Sequence, residues 1–340
     1  MSAQPIQRRT VWSRLPVIRQ LRQSVGLQRG MLIVGLTITG LFILTAIFAP
    51  LIAPYGFAQL QDSHGDFGAQ DPPGGKHILG TTVGGYDVLS RVIWGAQTAL
   101  LAILVAVVLS VFLGIVLGVV SGYIGGWLDR ILVVIADAVY AFPTLLLAIV
   151  SAIIISQGQS NLFGGILAAG LSITVVFIPQ YFRVIRAEAV RIKSEAFVES
   201  AKVIGTSTIR IMFRHVLRNA TRSLPLIITL NASEAIFTLA ALGFLGFGIE
   251  PNSAAEWGYD LNKSISDVTS GIWWTSIFPG TAIVLVVVGV TLVGESLNDL
   301  ADPRLRTRRR AVGVTSLAEV SVQGGGALED EVANLDELEA

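Results

Sequence analysis

Six long apolar stretches, separated by polar segments of unequal length, organise this chain. They fall near 31–53, 96–120, 131–156, 162–182, 220–247 and 273–297. A bilayer core takes about 20 apolar residues per helix. The pattern therefore predicts an all-α integral membrane protein with six transmembrane helices. The first stretch is too long for the apolar region of a secretion signal and lacks a small-residue cleavage site, so it is expected to remain as a span. The second carries a small residue at every fourth position: Ala102, Ala106, Ser110, Gly114, Gly118 and Gly122. Such a stripe lets another helix backbone approach closely in lipid. Pro143, Pro179, Pro225 and Pro279 interrupt or flank spans, and each is a possible bend.

The polar segment between the fourth and fifth stretches, 183–222, is the most distinctive part of the pattern. Ser194 suits an N-cap, Glu195 suits the first helical turn, and Gly205 suits a left-handed C′ position. A helix of about ten residues is predicted between them. Phe197, Ala201 and Ile204 lie at i, i+4 and i+7 and form its apolar stripe, with Glu199 and Lys202 alongside. Ser200 and Ala201 are small enough for a partner to come close. Thr206 or Ser207 can cap a second helix leading into the fifth span. One reading makes this a docking element for a partner outside the bilayer. The other lays it on anionic lipid, because the segment is strongly basic.

Charge supplies the orientation. Of 24 Lys and Arg, all but Lys76, Arg91 and Lys263 fall in the head, the second and fourth loops, or the stretch after the last span. The positive-inside rule then puts both termini in the cytoplasm. The expected division is a basic head 1–30, a first span 31–53, an external loop 54–95, a membrane core 96–300 and a cytoplasmic tail 301–340. Overall, 52% of residues are hydrophobic and 14% charged, against roughly 25% charged in soluble domains. Asp62, His64, Asp66, Asp71 and His77 in the external loop match no metal-ligand spacing, so a solvated loop is expected. There is no cysteine. Residues 311–340 carry Glu and Asp but no Lys or Arg, which predicts a disordered extension. Leu328, Val332, Leu335 and Leu338 add a weak amphipathic pattern to it.

Charges inside spans are costly and point to function. Glu234 lies 12 residues beyond Arg222, about 18 Å deep in a helix. Asn231, Glu234 and Thr238 share one helical face. That face lines a water-filled path or makes a polar helix contact; both readings stand. Asp137 is shallower and is expected to reach the interface or pair with Arg130.

Glu199-Ser200-Ala201 followed by Gly205 resembles the EAA loop (E-A-A-x3-G) of ATP-binding-cassette importer permeases, with Ser200 at the middle alanine. HILGTTVGGYDVLSR at 77–91, GYIGGWLDR at 122–130, DAVYAFP at 137–143, ALGFLGFGIEP at 241–251, EWGYDL at 256–261 and DLADPR at 299–304 resemble the dipeptide and oligopeptide branch. The resemblance runs from about 75 to 306. It implies the second permease subunit of a peptide importer in a bacterial cytoplasmic membrane. It also implies a sister permease, two cytoplasmic ATPase subunits holding ATP and Mg, and an extracytoplasmic substrate-binding protein. Phe197, Glu199, Ser200, Ala201, Ile204 and Gly205 are then the residues coupled to the ATPase. No phosphate-binding G-x-x-x-x-G-K-[ST] occurs, so no cofactor is expected on this chain, and no nucleic-acid partner. Nickel and glutathione permeases share these motifs and remain alternatives. Rivals of other classes are a self-sufficient secondary transporter, which needs ion-coupling charges and usually repeats, and a membrane enzyme.

Overall fold

The computed structural model describes residues 27–301 except 64, 157–161 and 222–223. Residues 30–294 form one compact body. The basic head, the Arg304–Arg310 cluster and the acidic tail with its Leu328–Leu338 pattern lie outside the described residues.

In chain order the helices are α1 (Leu27–Ile52), α2 (Val88–Ile124), α3 (Gly126–Tyr140), α4 (Thr144–Ser156), α5 (Leu162–Lys193), α6 (Ala196–Val203), α7 (Thr208–Arg210), α8 (Leu217–Ala220), α9 (Leu224–Phe244), α10 (Trp257–Lys263), α11 (Ile265–Thr269) and α12 (Trp274–Ala301). A π-helical stretch, Ile211–Val216, joins α7 to α8. The protein is an all-α, multi-spanning membrane protein. Among the described residues five helices are long and apolar enough to cross a bilayer, and α3 with α4 makes a sixth span if that bent pair counts as one.

Residues 131–156 are not one straight span. α3 and α4 meet at 98°, and Pro143 stands at the break, directly before α4. Proline offers no N–H and clashes with the preceding turn, so the ladder ends there although both halves are apolar. α2 begins at Val88 rather than near 96. Asp87 caps it, its carboxylate accepting from the Ser90 N–H at 2.8 Å and from the Ser90 hydroxyl at 2.7 Å.

The small-residue stripe of α2 is buried throughout and meets α5. A Cβ on Gly114 would stand 2.3 Å from Tyr181 Cβ. One on Gly118 would stand 2.9 Å from Ile185 Cβ. These glycines bring the two backbones into contact, and the core lies along this seam with Phe177, Tyr181 and Ile185 fully buried.

The segment 53–87 is not merely a solvated loop. Gln61–Asp62 (β1) and Gly65–Asp66 (β2) pair as a small antiparallel ribbon. His77, Thr81 and Asp87 are buried, with His77 Nδ1 2.9 Å from Asp87 Oδ1. Trp274 Nε1 donates to the Thr81 carbonyl at 3.2 Å, which ties the segment to the start of α12. Buried polar groups must find partners: His77 finds Asp87 within the segment, and the Thr81 carbonyl finds Trp274, 193 residues away.

Candidate functional site: the α6 tip and the Glu234 cavity

α6 ends in a Schellman closure. The Thr206 N–H donates to the Ala201 carbonyl and the Gly205 N–H to the Lys202 carbonyl, both at 3.0 Å. Gly205 has φ +79°, the left-handed geometry that glycine adopts without penalty. The N-terminal cap differs from expectation. Glu195 occupies the cap position and makes no side-chain cap bond, while the Ser194 hydroxyl turns back to the Arg191 carbonyl at 2.8 Å.

The apolar stripe also divides differently. Val198 and Ala201 are buried. Ile204 is 79% exposed, Val203 86% and Phe197 44%, and Ile209 beyond the turn is 70% exposed. Glu199, Ser200 and Gly205 are exposed as well. The helix is thus held by Val198 and Ala201 and presents an apolar tip around Gly205. Behind it, Lys193 and Lys202 lie over the buried Tyr123 ring at 5.6 and 6.0 Å. Asp129 binds Arg186 through two hydrogen bonds of 2.5 and 2.7 Å and accepts from the Ser121 hydroxyl at 2.5 Å. These contacts fasten α6 and the end of α5 to the α2–α3 corner. Asp137 pairs with Arg183, not Arg130, at 2.8 Å, because Arg183 on α5 faces it across the helix contact.

Glu234 lies midway along α9. It lines an open cavity of about 490 Å³ with Tyr140, Phe142, Pro143, Thr144 and Gln180. Gln180 on α5 lines the same cavity beside it. The break between α3 and α4 forms one wall. Asn231 and Thr238, expected on the same face, are buried instead, at 5% and 4% exposure. Thr238 returns its hydroxyl to the Glu234 carbonyl at 2.8 Å. Glu234 borders the cavity, whereas Asn231 and Thr238 are buried and do not line it. Gln180 and Tyr140 were missed by the sequence reading. Their only signal was proximity to Pro179 and Pro143.

On the face opposite α6, the 77–91 and 256–261 motifs meet. The Arg91 Nε donates to both carboxylate oxygens of Asp260 at 2.7 and 2.8 Å, and its Nη1 donates to the Phe57 carbonyl at 3.0 Å. Arg91 is 2% exposed. Trp257 Nε1 donates to the Val92 carbonyl at 3.1 Å. Glu256 caps α10, accepting from the Gly258 and Tyr259 N–H groups at 2.8 and 2.7 Å. Burial pushes its carboxyl up to about 8, against the lowering effect of those two bonds. Among the described residues, no three His, Asp or Glu side chains are grouped as metal ligands.

These features define a polytopic helical membrane protein with a short helix between two spans, exposed at its apolar tip, and a broken span beside a polar cavity. Comparison with known proteins gives the family. Residues 114–307 match the binding-protein-dependent transport system inner membrane component, and residues 27–73 match the N-terminal TM domain of oligopeptide transport permease C. The chain belongs to this family of ABC-importer permeases. It is 35% identical over 275 residues to the dipeptide transport system permease protein DppC of Alkalihalophilus pseudofirmus, covering 81% of this chain and 86% of that protein. It is 36% identical over 266 residues to the glutathione transport system permease protein GsiD of Shigella flexneri serotype 5b, covering 78% and 84%. The Escherichia coli O157:H7 GsiD is 34% identical over the same length, with the same shares of each chain. The chain is a transmembrane permease of a peptide-type ABC importer, and as a permease it relies on ATPase subunits for hydrolysis. Membership decides against the secondary-transporter and membrane-enzyme readings.

Proposed function

We propose that this chain is the second permease of an importer carrying dipeptides or oligopeptides inward through a bacterial cytoplasmic membrane. It works beside a sister permease, two cytoplasmic ATPase subunits and an extracytoplasmic binding protein. Both termini and α6 lie on the cytoplasmic side, consistent with the distribution of Lys and Arg. The apolar tip of α6 is the observation that carries the reading. Phe197, Ile204 and Gly205, with Glu199 and Ser200 beside them and Ala201 anchoring the helix, form the contact with an ATPase subunit. Exposed apolar side chains on a rigid closed turn fit a protein groove better than water. Glu234 lines the path, with Gln180 and Tyr140, while Asn231 and Thr238 are buried away from it. The dipeptide and glutathione relatives both support a peptide-like cargo.

Gly205→Val tests the coupling. A Cβ at Gly205 meets nothing within 4 Å, so the variant acts through backbone strain, about 1–2 kcal/mol, and not through a clash inside the chain. The expected result is normal membrane insertion with loss of the ATP turnover stimulated by loaded binding protein. Unchanged stimulated turnover rejects the assignment. Titration of dipeptides, glutathione and nickel into the cognate binding protein identifies the cargo.

A further inference from the structure

A second cavity, of about 230 Å³, lies on the face opposite α6, between the turn at 82–86 and helices α10 and α11. Tyr86, Tyr259, Asp260, Lys263, Asp267 and Thr275 contribute to its wall. Asp260 is committed to Arg91. Asp267 is not fully committed. It is 1% exposed, and its Oδ1 accepts from Gln70 Nε2 at 2.6 Å. Its Oδ2 is out of solvent contact and has no hydrogen-bond partner among the described residues. The nearby hydroxyls are engaged elsewhere. Ser264 donates to the Leu261 carbonyl, Thr275 to the Ile272 carbonyl and Tyr86 to Asn252 Oδ1. An unpaired buried carboxylate oxygen costs free energy until a donor reaches it. On the same wall Lys263 sits over the Tyr259 ring, its Nζ 5.3 Å from the centroid.

We propose that this cavity binds the primary-ammonium end of a small amino-acid-like ligand. Asp267 Oδ2 receives the ammonium, and Lys263 faces the ligand's carboxylate. A charge-assisted N–H···O bond is about twice as strong as a neutral one. An acid and a cation thus share the lining of one cavity, to which Tyr86 and Tyr259 add apolar surface. Pockets for drug-sized ligands hold about 300–1,000 Å³, so this one takes one or two small residues and not a long peptide. The choice of a peptide-like ligand rests on the function proposed above. The site itself is separate from the Glu234 cavity and shares no lining residue with it.

The test is titration of dialanine into the full-length chain in lipid nanodiscs, beside N-acetyl-dialanine and dialanine amide. Saturable dialanine binding is expected. Acetylation should weaken it by about tenfold or more, roughly one lost charge-assisted contact, and amidation should weaken it less. Asp267→Asn should reproduce the acetylation loss at an unchanged melting temperature. Lys263→Gln, at an exposed position, should make dialanine and its amide bind alike. Equal binding of the acetylated peptide, a wild-type response from Asp267→Asn or Lys263→Gln, or no saturable dialanine binding overturns the proposal. If Asp267→Asn melts early, the Lys263→Gln comparison and the acetylated ligand decide it. Neither ATPase nor binding protein enters this titration, so its failure leaves the importer reading intact. Loss of coupled transport with dialanine binding retained rejects the importer reading alone.

Discussion

Arg91 and Asp260 lie 169 residues apart and form a buried bidentate ion pair. Neither charge has much access to water, so each depends on the other. Truncating one partner of a buried pair costs about 3–5 kcal/mol. Arg91→Ala should lower the melting temperature of the solubilised protein sharply, and Arg91→Met with Asp260→Leu should recover most of the loss. An Arg91→Ala chain that melts like wild type removes the pair from the list of stabilising contacts. Glu256 makes a different prediction, through pH. Its folded value is raised to about 8 from the ordinary 4.5. The folded chain therefore binds a proton that the unfolded chain has released. That contribution to stability is complete below 4.5 and is lost as pH rises toward 8. Thermal melting should decline across that window, and Glu256→Gln should flatten the decline. Equal slopes in the two proteins contradict it. Sequence reading singled out the motifs that hold these residues but not their partners, because pairing across so many residues leaves no local pattern.

At the scale of elements, the seam between α2 and α5 sets the body of the fold. Gly118 lies against Ile185 and the Phe182 carbonyl at 2.9 Å from a notional Cβ. Overpacking a close contact costs about 1–3 kcal/mol, and here backbone as well as side chain must shift. Gly118→Val should reduce the melting temperature and the yield of folded protein. Gly40→Ala is the matching control, since a Cβ there meets nothing within 4 Å. Comparable losses in both variants refute a seam-specific effect. The four-residue spacing of small side chains was readable as a packing stripe, but which helix it receives was not. α6 was likewise readable from its charge, its small residues and Gly205. Its apolar stripe does not stay together: Ala201 is buried with Val198, while Phe197 and Ile204 are exposed. Periodicity gives the angle between side chains around a helix, and the neighbouring elements decide which angle points inward.

For the molecule as a whole, the cavity at Glu234 joins three parts of the chain: α9, α5 and the break between α3 and α4. A cysteine at 234 in this cysteine-free chain should react with a small polar thiol reagent, and in the assembled importer its rate should depend on nucleotide. Cysteines at 231 and 238 should stay unreactive, because both positions are buried. Reaction at 231 or 238 with silence at 234 would reverse the assignment of the two sides of α9.

The amino-acid sequence by itself determined the membrane class, the number of apolar stretches, the short helix within the polar segment 183–222 and the family. These depend on hydropathy, on charge counts and on short motifs, all of which act within one element or less. It also carried Gly205 at the end of α6, since a left-handed terminus selects glycine locally. Only the tertiary structure decided the 98° break at Pro143, the folding of 53–87 against the start of α12 and the pairing of Arg91 with Asp260. It alone separated Glu234, on the cavity, from Asn231 and Thr238, which are buried. Each of these outcomes depends on what a second, distant segment offers: a donor, a counter-charge or an open space. A buried polar group must be satisfied by whatever the fold brings to it, and one strand of sequence does not name that partner.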